Sequence, residues 1–179
     1  MIAALRGKVF EKVDGKILLD VKGVIYELFV SIFTYEAVKD DTILFVKEII
    51  REDEYSLYGF INKHEKEIFE RLLKINGVGP KVALAVCSTF SVDEFIHIVK
   101  SGDINSLKKV PGIGPKSAKR ILLEIGDIEI NVDSKSVEAI KALESLGFKK
   151  EQIIKVIDNN LDDVAMIIKD ALKKLSKGV

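Results

Sequence analysis

The chain repeats one short phrase. Residues 75–84 run Ile-Asn-Gly-Val-Gly-Pro-Lys-Val-Ala-Leu, and residues 110–119 run Val-Pro-Gly-Ile-Gly-Pro-Lys-Ser-Ala-Lys. Five of the ten positions are identical, at an offset of 35 residues. Two glycines and a proline within four residues break a helix or strand, so each copy predicts a turn. Proline suits the first helical position, where its missing N–H costs nothing, so each turn opens a helix. The free N–H groups at that helix start, together with the positive end of its dipole, can hold a phosphate oxygen. In the second copy Gly112, Ile113 and Gly114 would form the turn, with Ile113 packing inward and Lys116, Lys119 and Arg120 supplying full charges. Gly77, Val78, Gly79, Pro80 and Lys81 have the same roles in the first copy. A tight turn used for topology alone is the competing use of such a sequence.

Charge favours the phosphate reading. The formal net charge is zero, but it is unevenly divided. Residues 1–62 carry 8 basic and 11 acidic side chains, net −3; residues 63–126 carry 11 and 7, net +4; residues 127–179 carry 9 and 10, net −1. The positive excess coincides with the repeated turns, and phosphate neutralisation supplies most nucleic-acid affinity. The turn is not a nucleotide loop: Lys116-Ser117 follows Pro115 where that loop needs glycine. ATP hydrolysis by this chain is therefore not expected.

The flanking segments differ in kind. Strands are predicted at 2–11, 17–21, 24–30, 43–50 and 55–60, with Asp14-Gly15 as a hairpin turn. Five short strands in about sixty residues suggest a small closed barrel of the oligonucleotide-binding type, or a small sandwich. From Asn62 the period becomes helical. Asn62 with Glu65, and Ser91 with Glu94, read as capping boxes, and Gly102 and Gly126 as helix stops. About five helices are expected across 63–126. Residues 127–134 read as a linker. Helical stretches near 135–145, 151–159 and 162–175 follow, so the expected fold is α+β: barrel 1–62, tandem-turn helical domain 63–126, three-helix domain 135–179.

Other candidates are weaker. Arg51-Glu52-Asp53-Glu54 falls between two strands and reads as a hairpin tip, either a solvated turn or a functional cluster of carboxylates. With only His64 and His97 elsewhere, these acids make a poor metal site, and no metal is expected. Cys87, the lone cysteine, sits in an apolar helical stretch and reads as a buried thiol, in keeping with a reducing cytoplasm. No apolar run approaches the roughly 20 residues of a membrane span. Leu146, Phe148, Ile153, Ile154, Val156, Ile157, Val164, Ile167, Ile168 and Leu172 exceed what so small a domain readily hides, which leaves partner binding or complete internal packing open.

The repeated turns resemble the helix-hairpin-helix motif. In combination with Leu5-Arg6-Gly7, Leu57-Tyr58-Gly59-Phe60, Asn76-Gly77-Val78-Gly79-Pro80-Lys81 and Pro111-Gly112-Ile113-Gly114, the whole chain resembles the RuvA family of Holliday-junction recognition subunits. The resemblance implies a non-enzymatic scaffold for four-way junctions in recombination and repair, built as one ring of four subunits or two such rings. It implies DNA-backbone contacts at Gly77, Val78, Gly79, Lys81, Gly112, Ile113, Gly114, Lys116, Lys119 and Arg120. Glu52 and Asp53 match the acidic pin of that family, and Glu54 is an extra acid. The last domain would bind the hexameric ATPase RuvB, with Leu146, Gly147 and Phe148 as contact candidates and ATP used by the partner alone. Coupling to the RuvC resolvase is left open. A helix-hairpin-helix glycosylase/lyase is the alternative, because Lys116 and Asp133 lie 17 residues apart. A general single-strand binder would want exposed aromatics for stacking, and there is no tryptophan.

Overall fold

The computed structural model describes residues 1–52, 54–126, 134–149, 152–153, 156–157 and 163–176. It forms two compact units, 1–129 and 130–179.

The first unit begins with five strands in a closed barrel of order β1-β2-β3-β5-β4: β1 Ala4–Val13, β2 Lys16–Val21, β3 Val24–Val30, β4 Asp41–Ile50 and β5 Tyr55–Phe60. All neighbours are antiparallel except β3 and β5, which pair in parallel at Phe29–Tyr58 and Val30–Gly59. Closure decides the matter between barrel and sandwich. The long first strand serves two partners, Asp20 to Lys16 on one side and Phe45 to Asp41 on the other, with a bulge between Val9 and Glu11 that lets it bend. At Gly7 a Cβ would fall 2.2 Å from the Asp20 carbonyl oxygen, so β1 crosses β2 where there is no side chain. Ile17, Leu19, Leu28, Leu44 and Val46 alternate inward and fill the barrel.

Sequence periodicity misses α1, Ile32–Ala37, between β3 and β4. Its Ile-Phe-Thr-Tyr run is strand-like in composition, and only Ser31, which accepts a bond from the Thr34 amide at 3.0 Å, marks the start. The helices α2 Lys63–Leu72, α3 Pro80–Thr89, α4 Val92–Ser101, α5 Ile104–Leu107 and α6 Pro115–Gly126 follow, five as expected. Tyr58 and Phe60 at the end of the barrel both pack on Phe69 of α2, with ring centroids 4.9 and 5.0 Å apart, which welds barrel and helices into one unit. The Ser91–Glu94 capping box forms in both directions, and Gly102 ends α4 at φ 68°.

The Asn62–Glu65 capping box does not form. Asn62 caps α2 alone, accepting from the His64 amide at 2.8 Å. Glu65 turns inward and accepts hydroxyl hydrogen bonds from Ser31 and, at 2.8 Å, Thr34, while Thr34 Oγ1 accepts from the Ile61 amide at 3.1 Å. Two hydroxyls at the start of α1 thus claim the carboxylate that local sequence assigns to the cap.

In the second unit, α7 Ser134–Ser145 and α8 Val164–Ser176 pack around Leu143, Ile153 and Ala171, with Gln152, Ile153 and Val156 in helical backbone between them. Ile154 and most of the expected linker lie outside the described residues.

Candidate nucleic-acid interface

The two glycine turns are built alike, bond for bond. In the first, the Ile75 amide donates to Leu72, Val78 to Ile75 at 3.0 Å, and Ala83 to Gly79 at 2.9 Å. In the second, Val110 donates to Leu107, Ile113 to Val110 at 3.1 Å, and Ala118 to Gly114 at 2.9 Å. Gly77 and Gly112 take φ of 90° and 87°, where a β-carbon would be strained. Val78 and Ile113 are buried, and their amides are spent inside the turns. They anchor the loops, and the groups left for a ligand come later. Ala83 and Ala118 make the first bonds into α3 and α6, so the N–H groups of Lys81, Val82, Lys116 and Ser117 lie ahead of the helical ladder.

Gly79 and Gly114 are informative because nothing inside the described protein requires them. Gly79 has φ −88°, neither residue is left-handed, and a Cβ at either would meet no atom within 4 Å. A bare backbone facing open space, beside N–H groups outside the helical ladder and the exposed Lys81, Lys116 and Lys119, suits close approach by an anion from outside. Arg120 differs from the expectation of a free charge: its Nη1 donates to the Asn76 carbonyl at 2.7 Å, across to the first turn.

The acidic segment is the tip of the β4–β5 hairpin, closed by the Arg51 amide donating to the Glu54 carbonyl at 2.8 Å. Glu52 is exposed and Asp53 lies outside the described residues. Glu54 serves the turn: Ser56 Oγ donates to it at 2.7 Å, and Arg51 lies 4.0 Å away. Below the tip, Glu48 accepts from Tyr55 at 2.7 Å and from the Ile2 amide at 2.7 Å; these two bonds hold its carboxyl below the usual carboxylate range.

Of the C-terminal candidates, Gly147 sits at φ 91° and closes α7, with Phe148 donating back to Leu143 and Gly147 to Glu144. That turn thrusts Leu146 outward, 62% exposed, and directs Phe148 onto the Leu143–Ile153–Ala171 core. Most of the supposed surplus apolar residues pack inside. Among the described residues of this unit, Leu146 and Met166 are the large apolar side chains left exposed.

Cys87 is buried, and burial with the nearby Glu65 charge pushes its thiol well above its usual value. His97 is exposed, and no group of three His, Cys, Asp or Glu among the described residues could hold a metal ion. Lys116 is exposed at its helix start and does not line the cleft of about 500 Å³ between α2 and α6, which is formed by Glu67, Glu70, Arg71, Lys74, Ile75, Glu124 and Ile125. Asp133 lies outside the described residues. No single described helix is long and apolar enough to cross a membrane; α3 and α4 reach that composition only as a pair bent by 100°.

A closed five-stranded barrel welded to two tandem glycine turns, each opening a helix, defines a barrel-bearing helix-hairpin-helix protein. Three known families account for its parts: the RuvA N terminal domain matches residues 1–59, the SAM-like helix-hairpin-helix tandem 69–127, and the RuvA C-terminal domain 134–176. The Holliday junction branch migration complex subunit RuvA of Nautilia profundicola is 55% identical over the full length of both chains. The proteins of the same description from Nitratiruptor sp. and Sulfurimonas denitrificans are 50% and 44% identical, over 98% or more of each chain. The chain belongs to the RuvA family.

Proposed function

We propose that this protein is a cytoplasmic, non-catalytic scaffold that binds the four-way DNA junction, holds it open and square, and recruits the RuvB ATPase for branch migration in recombination and repair. The relatives' description as subunits of a Holliday junction branch migration complex supports this, and the tandem turns supply the grip. The carrying observation is Gly79 and Gly114: glycines with no internal need for glycine, each beside helix-start amides outside the helical ladder and an exposed lysine.

In this reading Lys81, Lys116, Lys119 and the amides behind Gly79 and Gly114 neutralise backbone phosphates without reading bases. Gly77, Val78, Gly112 and Ile113 shape the loops. Four subunits, in one ring or two, bring Glu52 and Asp53 to the centre, where negative charge opposes strand reassociation. Leu146 presents an apolar contact to the motor, which alone uses ATP; the scaffold needs no cofactor or metal. A gel shift comparing a four-way junction with linear duplex of the same arm sequence, across salt and without ATP, tests the core. Strong junction preference is expected, and equal affinity for both would sink the reading.

A further inference from the structure

The two copies of the turn differ where they meet. At the offset of 35 residues, Arg120 of the second copy corresponds to Ala85 of the first, and Gly112 to Gly77. Arg120 reaches out of its own copy: its Nη1 donates at 2.7 Å to the carbonyl of Asn76, the residue preceding the first glycine turn. Its Nε lies 3.8 Å from Glu124 Oε1, one helical turn along α6, so the guanidinium is held from both sides. Beside it the Val82 side chain packs against the bare Gly112 backbone: a Cβ at Gly112 would come within 2.9 Å of Val82 Cγ2 on α3. At Gly77, the equivalent glycine, a Cβ meets nothing within 4 Å. The second copy therefore grips the first at two points, and Ala85 has no side chain long enough to return the reach. A residue serving only to neutralise phosphate would be useful in both copies, whereas a strut between them is needed once.

We propose that Arg120 is a positioning residue that fixes the spacing of the two anion-facing turns, so that both engage phosphates of one DNA arm together. The inference rests on the proposed role of those turns. Two linked grips gain affinity because the second forms intramolecularly, and that gain vanishes when the spacing drifts, even if neither grip is removed. Lysine keeps the charge but lacks the planar fork that serves Asn76 and Glu124 at once.

A double-mutant cycle on the full-length protein tests this, with anisotropy of a labelled four-way junction at fixed salt. Arg120→Lys should weaken binding about tenfold in the parent, but less than about twofold in a Lys81→Glu background, where the first turn is already disabled. The same weakening in both backgrounds, or none in the parent, overturns the proposal, since either outcome leaves the first turn irrelevant to Arg120. Amide hydrogen exchange gives a readout independent of DNA. The amides of Ile75 and Val78, hydrogen-bonded within the first turn, should exchange faster in Arg120→Lys, and in Arg120→Gln as a second variant, but not in Lys119→Ala. Unchanged exchange in both Arg120 variants rejects the strut. If the parent shows no junction preference, the functional reading fails by itself and the exchange result still decides the role of Arg120.

Discussion

At the scale of single residues, Glu65 and the two outer glycines carry the sharpest consequences. Glu65 is buried between α1 and α2, and burial raises its pKa above the ordinary 4.5, against the opposing pull of the Ser31 and Thr34 hydroxyls. A raised folded-state value means that the folded protein favours the proton. The contribution of neutral Glu65 is thus fully present below about pH 4.5 and is lost as pH rises through the raised value. Glu65→Gln should therefore gain stability over the parent between acid and neutral pH, measured as urea midpoints at pH 4.5 and 7.5; a gap that does not widen with pH would contradict the assignment. The Gly79→Ser and Gly114→Ser pair separates folding from binding. Serine is at least as good a helix cap as glycine, so melting temperature should hold or rise slightly. Its side chain would occupy the very amides and space that a phosphate needs, so junction affinity should fall. Equal affinity would remove the close-approach argument.

At the scale of elements, the helix starts and the β-hairpin behave differently. Lys116 and Lys119 lie exposed on the first turns of α6. Each phosphate that goes unneutralised should lower the slope of log K against log salt by about 0.9. Lys116→Ala with Lys119→Ala should flatten the slope measurably in a salt titration, and an unchanged slope would place the DNA elsewhere. In the hairpin, Glu54 works with Arg51 and Ser56 to shape the tip, while Glu52 is exposed to solvent. Glu54→Ala should loosen the turn, seen as faster amide exchange at Arg51. Glu52→Gln should leave that exchange unchanged and act only on the preference for junctions over duplex.

At the scale of the molecule, two compact units divide the labour. The first welds barrel to helices through Tyr58, Phe60 and Phe69, so the glycine turns and the β4–β5 hairpin belong to one compact unit. The second keeps its own small core and leaves Leu146 outside it. Leu146→Asp should change thermal stability little, because an exposed side chain packs against little in the folded state. It should abolish motor-driven branch migration in a strand-exchange assay while junction binding persists. Native mass spectrometry should find assemblies in multiples of four; a stable monomer that keeps full junction preference would defeat the ring.

The sequence by itself settled whatever depends on neighbours along the chain. The repeated glycine turns, the five strands of β1 to β5, the Ser91–Glu94 cap and the hairpin at 51–54 were all legible, because turn chemistry and periodicity are local. It also pointed to the exposed lysines at the starts of α3 and α6, since the helix start after Gly-Pro is encoded in a few consecutive residues. Only the tertiary structure decided what depends on residues far apart. Barrel closure needs β1 to meet both β2 and β4. Glu65 left its cap for hydroxyls 34 and 31 residues away. Phe148 joined a core while Leu146 did not, because the left-handed Gly147 fixes which way each points. Arg120 looked like one more cation until folding set it beside Asn76, 44 residues back. Local propensity cannot register such pairings, because the competing partners become available only when the chain has closed on itself.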